Sequence, residues 1–204
     1  NLNLIAQKTP GFSGADLKNV LNEGAILAAR NSKKAISMIE LNDAVEKVVL
    51  GPERKTRVIH EDEKKITAYH EAGHALVSHI LPGADPVHKI SIISRGRALG
   101  YTWNMPEQDR NLHSKSRFED EIAVFLAGRE AEIMTFGELT TGAQNDLQQA
   151  SKIARKMVTE FGMSDKIGAM SFHGKDEFVF LGRDLAETKN YSEKTAQVID
   201  DEVA

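Results

Sequence analysis

Apolar positions recur at helical spacing over most of this chain. Leu17, Val20, Leu21, Ala25 and Ala28 form one such stripe, preceded by Ser13 with Asp16 three residues on, a capping box with Asp in place of Glu. Leu41, Ala44, Val45, Val48 and Val49 form a second stripe after the Ser37–Glu40 S-x-x-E cap, and Gly51-Pro52 stops it. Residues 51–60 are charged and aperiodic, which places a domain boundary there. From Glu61 a helix is predicted to about Leu81, ended by Pro82-Gly83. The period then shortens: His88–Ile93 and Leu99–Trp103 predict two short strands about a glycine turn at Ser94–Arg97. A helix of about twenty residues follows, from near Ser114 to Phe136, with Ile122, Phe125, Leu126 and Ile133 on one side and Gly137 at its end. Thr140-Thr141-Gly142 opens another helix that runs to Gly162, and Tyr191–Ala204 predicts a last one. The pattern is that of a mainly α protein with a small β element.

The predicted helix from Glu61 contains His70-Glu71-Ala72-Gly73-His74, an H-E-x-x-H pattern. Positions i and i+4 stand one turn apart on the same helix face, so two imidazoles there can share one metal ion. Glu71 lies beside that ion, where a general base for water is needed. The alternative is two surface histidines next to a solvated glutamate.

Composition narrows the chemistry. The chain of 204 residues is 41% hydrophobic and 27% charged, as ordinary globular proteins are. The net charge of −4 gives no sign of a nucleic-acid surface. Residues 1–60 carry nine Lys/Arg against six Asp/Glu, and residues 61–204 carry seventeen against twenty-four, an offset that fits two units. There is no cysteine, so disulfides, thiolate ligands and a Cys nucleophile are excluded. A metal must then be held by His and carboxylates, which favours a catalytic site over a structural one. No apolar run reaches the roughly 18 residues needed to span a bilayer. The chain begins at Asn1 without Met, and its tail stops without a cap; both ends are expected to be cuts from a larger protein, so the missing span says nothing about that parent.

Catalytic zinc usually takes three protein ligands. The extended pattern that continues with a glycine and a third histidine is excluded, because Val77 and Ile80 stand at those places. His79 is turned away from His74, and His88 lies beyond the helix stop at the head of a strand. Glu130 and Glu132 on the following helix, and Asp146 in the first turn of the next, are the carboxylate candidates. Spacing does not separate them.

Five segments carry a resemblance: Gly11–Leu17 (GFSGADL), His70–Ala75 (HEAGHA), Pro86–Ile92 (PVHKISI), Arg95–Gly100 (RGRALG) and Thr140–Leu147 (TTGAQNDL). In this order they resemble the FtsH family of membrane-anchored, ATP-dependent zinc metalloproteases, over nearly the whole chain. One departure is visible: after Gly128-Arg129 the family commonly has A-A-E-E, whereas Glu130-Ala131-Glu132-Ile133 stands here. The resemblance implies Asp146 as third ligand of one Zn2+ per chain, with His70 and His74 as the other two and Glu71 as the base that activates zinc-bound water. It implies a helical AAA lid at residues 1–56 and a zinc endopeptidase domain at 57–204, truncated at its C-terminus.

It further implies unfolded or membrane protein substrates, a homohexamer, no nucleic acid, and a parent anchored in a bacterial, mitochondrial or chloroplast membrane. ATP would belong to that parent only. The phosphate-binding G-x-x-x-x-G-K-[ST] loop is missing, and the single Gly-Lys, Gly174-Lys175, is followed by Asp176. The strand segment Leu99, Gly100, Tyr101 and Thr102 is expected to hold an extended substrate by its edge. Two other readings compete: a thermolysin-like peptidase with Glu130 or Glu132 as ligand, and a non-catalytic helical adaptor or oligomerisation module.

Overall fold

Local capping explains most of the helix boundaries. The computed structural model describes residues 2–53, 59–94, 99–106, 112–172 and 191–204. After a short helix α1 (Leu2–Gln7), α2 (Gly14–Arg30) starts at Ser13, whose hydroxyl accepts from Asp16 N while the Asp16 carboxylate accepts from Ser13 N at 2.8 Å. Helix α3 (Met38–Leu50) repeats the device with Ser37 and Glu40, and ends at Gly51, whose φ of 86° needs no Cβ to be accommodated. These three helices close on Ile5, Val20, Ala44 and Val45, with Phe12, Leu27 and Leu41 around them.

Helix α4 (Glu61–Ile80) has no side-chain cap, but Glu61, Asp62 and Glu63 place negative charge against the positive end of its dipole. Helix α5 (Lys115–Phe136) is capped by Ser114 and ended by left-handed Gly137. The two pack face to face because their contact is made of small residues. A Cβ on Gly73 would come within 2.5 Å of Ala127 O and 2.8 Å of Ala131 Cβ. That close approach brings α5 against the histidine face of α4. Helix α6 (Gln144–Thr159) packs on α5, and α7 (Glu193–Val203) packs on α6 through fully buried Ile199.

Strands β1 (Val87–Ser91) and β2 (Tyr101–Asn104) form an antiparallel pair that lies on α4, with Ile90 opposite Thr102 and an irregularity between Val87 and Lys89. Trp103 of β2 packs against the α1–α3 core, and Lys89 of β1 reaches Glu46 of α3 with both contacts at 2.8 Å.

Several boundaries differ from the sequence reading. The second strand begins at Tyr101; Leu99 and Gly100 form a bend before it, since the chain there passes tightly over α4, where a Cβ on Gly100 would sit 2.6 Å from Thr67 Cγ2. Thr140–Gly142 does not open a regular helix: Thr140 caps a single 3₁₀ turn, Thr141–Ala143, and α6 follows from Gln144 to Thr159 rather than to Gly162. The expected turn and the matched Arg95–Ala98, much of the domain boundary (54–58) and Gly174-Lys175 lie outside the described residues. Among the described residues no helix is long and apolar enough to cross a membrane.

Candidate metal centre

His70 and His74 are both buried on the α5 side of α4, with Nε2 atoms 3.0 Å apart. Asp146, at the start of α6, brings its Oδ2 to 3.1 Å from His70 Nε2 and 3.6 Å from His74 Nε2. Three donor atoms from two helices thus converge on one point, and these three residues are the metal-type cluster found among the described residues.

The opposite ring nitrogens are tied down. His70 Nδ1 is 2.7 Å from Glu132 Oε1, and His74 Nδ1 is 2.7 Å from the Val124 carbonyl. A carbonyl oxygen and a carboxylate can only accept, so each Nδ1 carries a hydrogen, and each ring when neutral presents its Nε2 lone pair inward. Two lone pairs and a carboxylate oxygen then face one another, which a cation satisfies and a hydrogen-bond donor can serve only in part. Ligand atoms about 2.0–2.1 Å from a tetrahedral zinc stand roughly 3.3 Å from each other, and the three separations bracket that value. The donor set of two imidazoles and one carboxylate suits such an ion, and a carboxylate and a backbone carbonyl behind the imidazoles are the supports that metal-bound histidines use.

Electrostatics point the same way. Burial opposes charge on His70, but the Asp146 and Glu132 carboxylates outweigh it and hold its pKa above the usual value. Burial likewise opposes charge on Asp146, but His70 and His74 hold its carboxyl down at about 2. The cluster therefore favours positive charge where the three atoms meet.

Helix α5 forms the floor of the site. A Cβ on Gly128 would lie 2.6 Å from both His70 Nε2 and His74 Nε2, so only glycine leaves this space open. Glu71, one residue after His70, is buried and faces the same cleft as the histidines, and the Thr102 hydroxyl donates to its Oε2 at 2.7 Å. Burial pushes the Glu71 carboxyl up, against the Thr102 hydrogen bond and the nearby imidazoles, and a raised pKa makes a stronger base. A cleft of about 1140 Å³ is lined by His70, Glu71, His74 and Asp146 and also by Leu99, Gly100, Tyr101 and Thr102.

The three carboxylates that spacing left open are thus placed differently. Asp146 is in the cluster. Glu130 is exposed and pairs with Arg129 at 2.7 Å, well apart from it. Glu132 is 1% exposed and stands behind His70, its second oxygen accepting from Thr140 N at 3.1 Å. The sequence reading considered Glu132 as a ligand and missed it as a support. Its signal was present: Ala127, Gly128 and Ala131 mark the face of α5 that packs closely, and Glu132 borders that face. The roles of Gly128 and of the Thr102 hydroxyl were also missed. His79 is exposed, and His88 stacks edge-on against Trp103 with ring centroids 5.2 Å apart, outside the cluster.

Residues 57–204 match the model of peptidase family M41, and residues 1–43 match the AAA+ lid domain. The chain is 55% identical over 203 residues to the ATP-dependent zinc metalloprotease FtsH of Endomicrobium trichonymphae, covering 100% of this chain and 32% of that protein. It is 57% identical over 199 residues to FtsH 1 of Thermomicrobium roseum, covering 98% of this chain and 30% of that protein. FtsH 1 of Sphaerobacter thermophilus is 55% identical over 203 residues, with 100% and 31% covered. The chain thus spans about a third of the length of these curated relatives.

Proposed function

Because the chain belongs to peptidase family M41, we propose that residues 57–204 are a zinc endopeptidase domain and residues 1–56 the helical lid of an ATPase module. The observation that carries this reading is the convergence of His70 Nε2, His74 Nε2 and Asp146 Oδ2 within 3.6 Å, with both Nδ1 atoms engaged from behind. His70, His74 and Asp146 would hold one Zn2+. Bound there, zinc acidifies water and polarises a scissile carbonyl. Glu71 accepts the proton of the attacking water and passes it to the leaving amine. Glu132 and the Val124 carbonyl keep the imidazoles in the required tautomer. The segment Leu99–Thr102, which lines the same cleft, holds an extended peptide by its backbone.

The relatives' names support placing this unit in an ATP-dependent zinc metalloprotease. In that setting the whole protein is a membrane-anchored homohexamer that degrades unfolded, membrane or short-lived proteins, and ATP is handled by parts of it other than this chain. The thermolysin-like alternative is disfavoured, since Glu130 stands apart from the histidines and Glu132 behind one of them. Metal analysis separates the enzyme from a non-catalytic adaptor: one zinc per chain is expected, and a metal-free chain with no affinity for zinc would favour the adaptor. Glu71→Gln should keep the zinc and lose peptide hydrolysis by ~10²-fold or more, because a base is removed and no ligand is. Near wild-type cleavage by this variant would remove Glu71 from the mechanism.

A further inference from the structure

Thr102 has two engagements that an edge strand for substrate does not require. Its Oγ1 lies 2.7 Å from Glu71 Oε2 and 3.0 Å from the Glu71 carbonyl oxygen. We propose that Thr102 is a positioning residue for Glu71, its hydroxyl fixing the carboxylate in the orientation that receives the water proton. This rests on the reading of Glu71 as the base.

The strand holds that hydroxyl rigidly. Threonine is stiff about χ1, and its backbone is paired opposite Ile90. Both neighbours in β2 are anchored: the Tyr101 hydroxyl reaches Glu46 at 3.3 Å, and Trp103 packs into the α1–α3 core. Asn104 Nδ2 donates to Ser78 Oγ on α4 at 2.9 Å, a second strap between the strand and the helix that carries Glu71. Just before the strand, Gly100 lets the backbone pass over the Glu71 side chain, where a Cβ would lie 3.0 Å from Glu71 Cγ. Glutamate has three side-chain torsions, and a carboxylate left loose would sample orientations that cannot reach the water. Anchoring Oε2 leaves Oε1 for that task.

The second contact matters during turnover. A hydroxyl has one hydrogen and serves one acceptor at a time. While Glu71 is a carboxylate, the hydrogen goes to Oε2. Once Glu71 has taken the water proton, its carboxyl can donate to Thr102 Oγ1, and the threonine hydrogen turns to the Glu71 carbonyl. The proton passes from water to Glu71 to the leaving amine; Thr102 gains and loses none. One side chain thus holds the base in both of its states.

The test uses this chain loaded with zinc and a fluorogenic, unstructured peptide. Thr102→Val keeps shape and strand propensity but removes the hydroxyl. Zinc content and KM should be unchanged, kcat should fall roughly 10- to 100-fold, the loss of a hydrogen bond to a charged group, and Thr102→Ser should restore most of it. Affinity for a peptide hydroxamate, whose hydroxyl hands its proton to the base on chelation, should fall with kcat. In a Glu71→Gln background Thr102→Val should cost nothing more. A zinc-loaded Thr102→Val with wild-type kcat overturns the proposal, as does a variant with raised KM and intact kcat, which would make Thr102 a substrate contact. If the valine protein loses its cooperative unfolding transition, Thr102→Ala is judged by the same criteria. Glu71→Gln separates the two failures: if it remains active the base reading fails, whereas an inactive Glu71→Gln beside a fully active Thr102→Val sinks the positioning role alone.

Discussion

Both ends of the molecule bury carboxylates, and they satisfy them differently. In the α1–α3 bundle, Glu40 meets Lys33 at 2.6 Å and Glu46 meets Lys89 at 2.8 Å. Where α4, α5 and α6 meet, Glu132 and Asp146 face imidazoles. A lysine keeps its charge at any ordinary pH and closes the account locally. A histidine can surrender its proton, so the second arrangement stays open to another cation. The apolar surroundings differ as well: the bundle is built on Val20, Ala44 and Val45, whereas the metal end buries His70, Glu71, His74 and Ser78 among alanines such as Ala75, Ala127 and Ala150. Apolar burial stabilises the bundle by itself. Buried polar groups at the other end are costly unless fully partnered, and their partners are arranged for binding.

The sharpest way to break that contrast is to fill the metal end with a single methyl. Gly128→Ala would place a carbon 2.6 Å from both inward Nε2 atoms, so either the imidazoles or α5 must shift. Misplacement on the order of 1 Å in such a site costs roughly 10²-fold in rate. Peptide cleavage and zinc affinity should both collapse, while overpacking destabilises the fold by only about 1–3 kcal/mol. Isothermal titration with zinc and thermal unfolding of the same preparation distinguish these effects. Full zinc affinity in Gly128→Ala would show that the cluster is looser than its geometry implies.

A gentler change sharpens the difference between the two carboxylates on α5. Glu132→Gln keeps the shape but replaces the charged acceptor behind His70, and losing such a support costs roughly 10- to 100-fold in metal affinity. Glu130→Gln, on the exposed side with Arg129, should change it little. Competition titrations with a chromophoric chelator measure both. Equal losses would mean that net charge near the site matters rather than the hydrogen bond to His70 Nδ1.

These two glutamates also show where the sequence was legible. Helix caps at Ser13 and Ser37, the helix start near Ser114 and the stop at Gly137 could be read because their signals lie within a few residues. The His70–His74 pair could be read because i and i+4 share a face. Which carboxylate approaches them could not be read from spacing: Glu132 and Asp146 are 62 and 76 residues from His70, and only the α4–α5–α6 packing sorts them. The resemblance named Asp146; the small residues Ala127, Gly128 and Ala131 were the faint mark of the support at Glu132 and the floor at Gly128, and nothing local marked the Thr102 hydroxyl on Glu71. Small residues at a helix crossing carry no hydrophobic signal, and their value lies in what they allow another element to approach.

The smallest expected effect tests whether the two ends are independent. Ser37 caps α3: its hydroxyl contacts Glu40 Oε2 at 2.5 Å and accepts from Ile39 N at 3.3 Å. Ser37→Ala removes both contacts and leaves Glu40 with Lys33 and the residue 37 backbone N–H, so a cost of ~1 kcal/mol in unfolding free energy is expected. The substitution lies on the bundle side, and the links to the strand pair run through the other end of α3, where Glu46 holds Lys89 and the core receives Trp103. A helix that frays at its first turn keeps its later turns in register, because each of their hydrogen bonds lies within the intact part. Zinc affinity should therefore stay at its wild-type value while the denaturation midpoint falls. If zinc binding weakened in parallel with stability, the bundle and the metal end would form one cooperative unit, and β2, which touches both, would be the element that joins them.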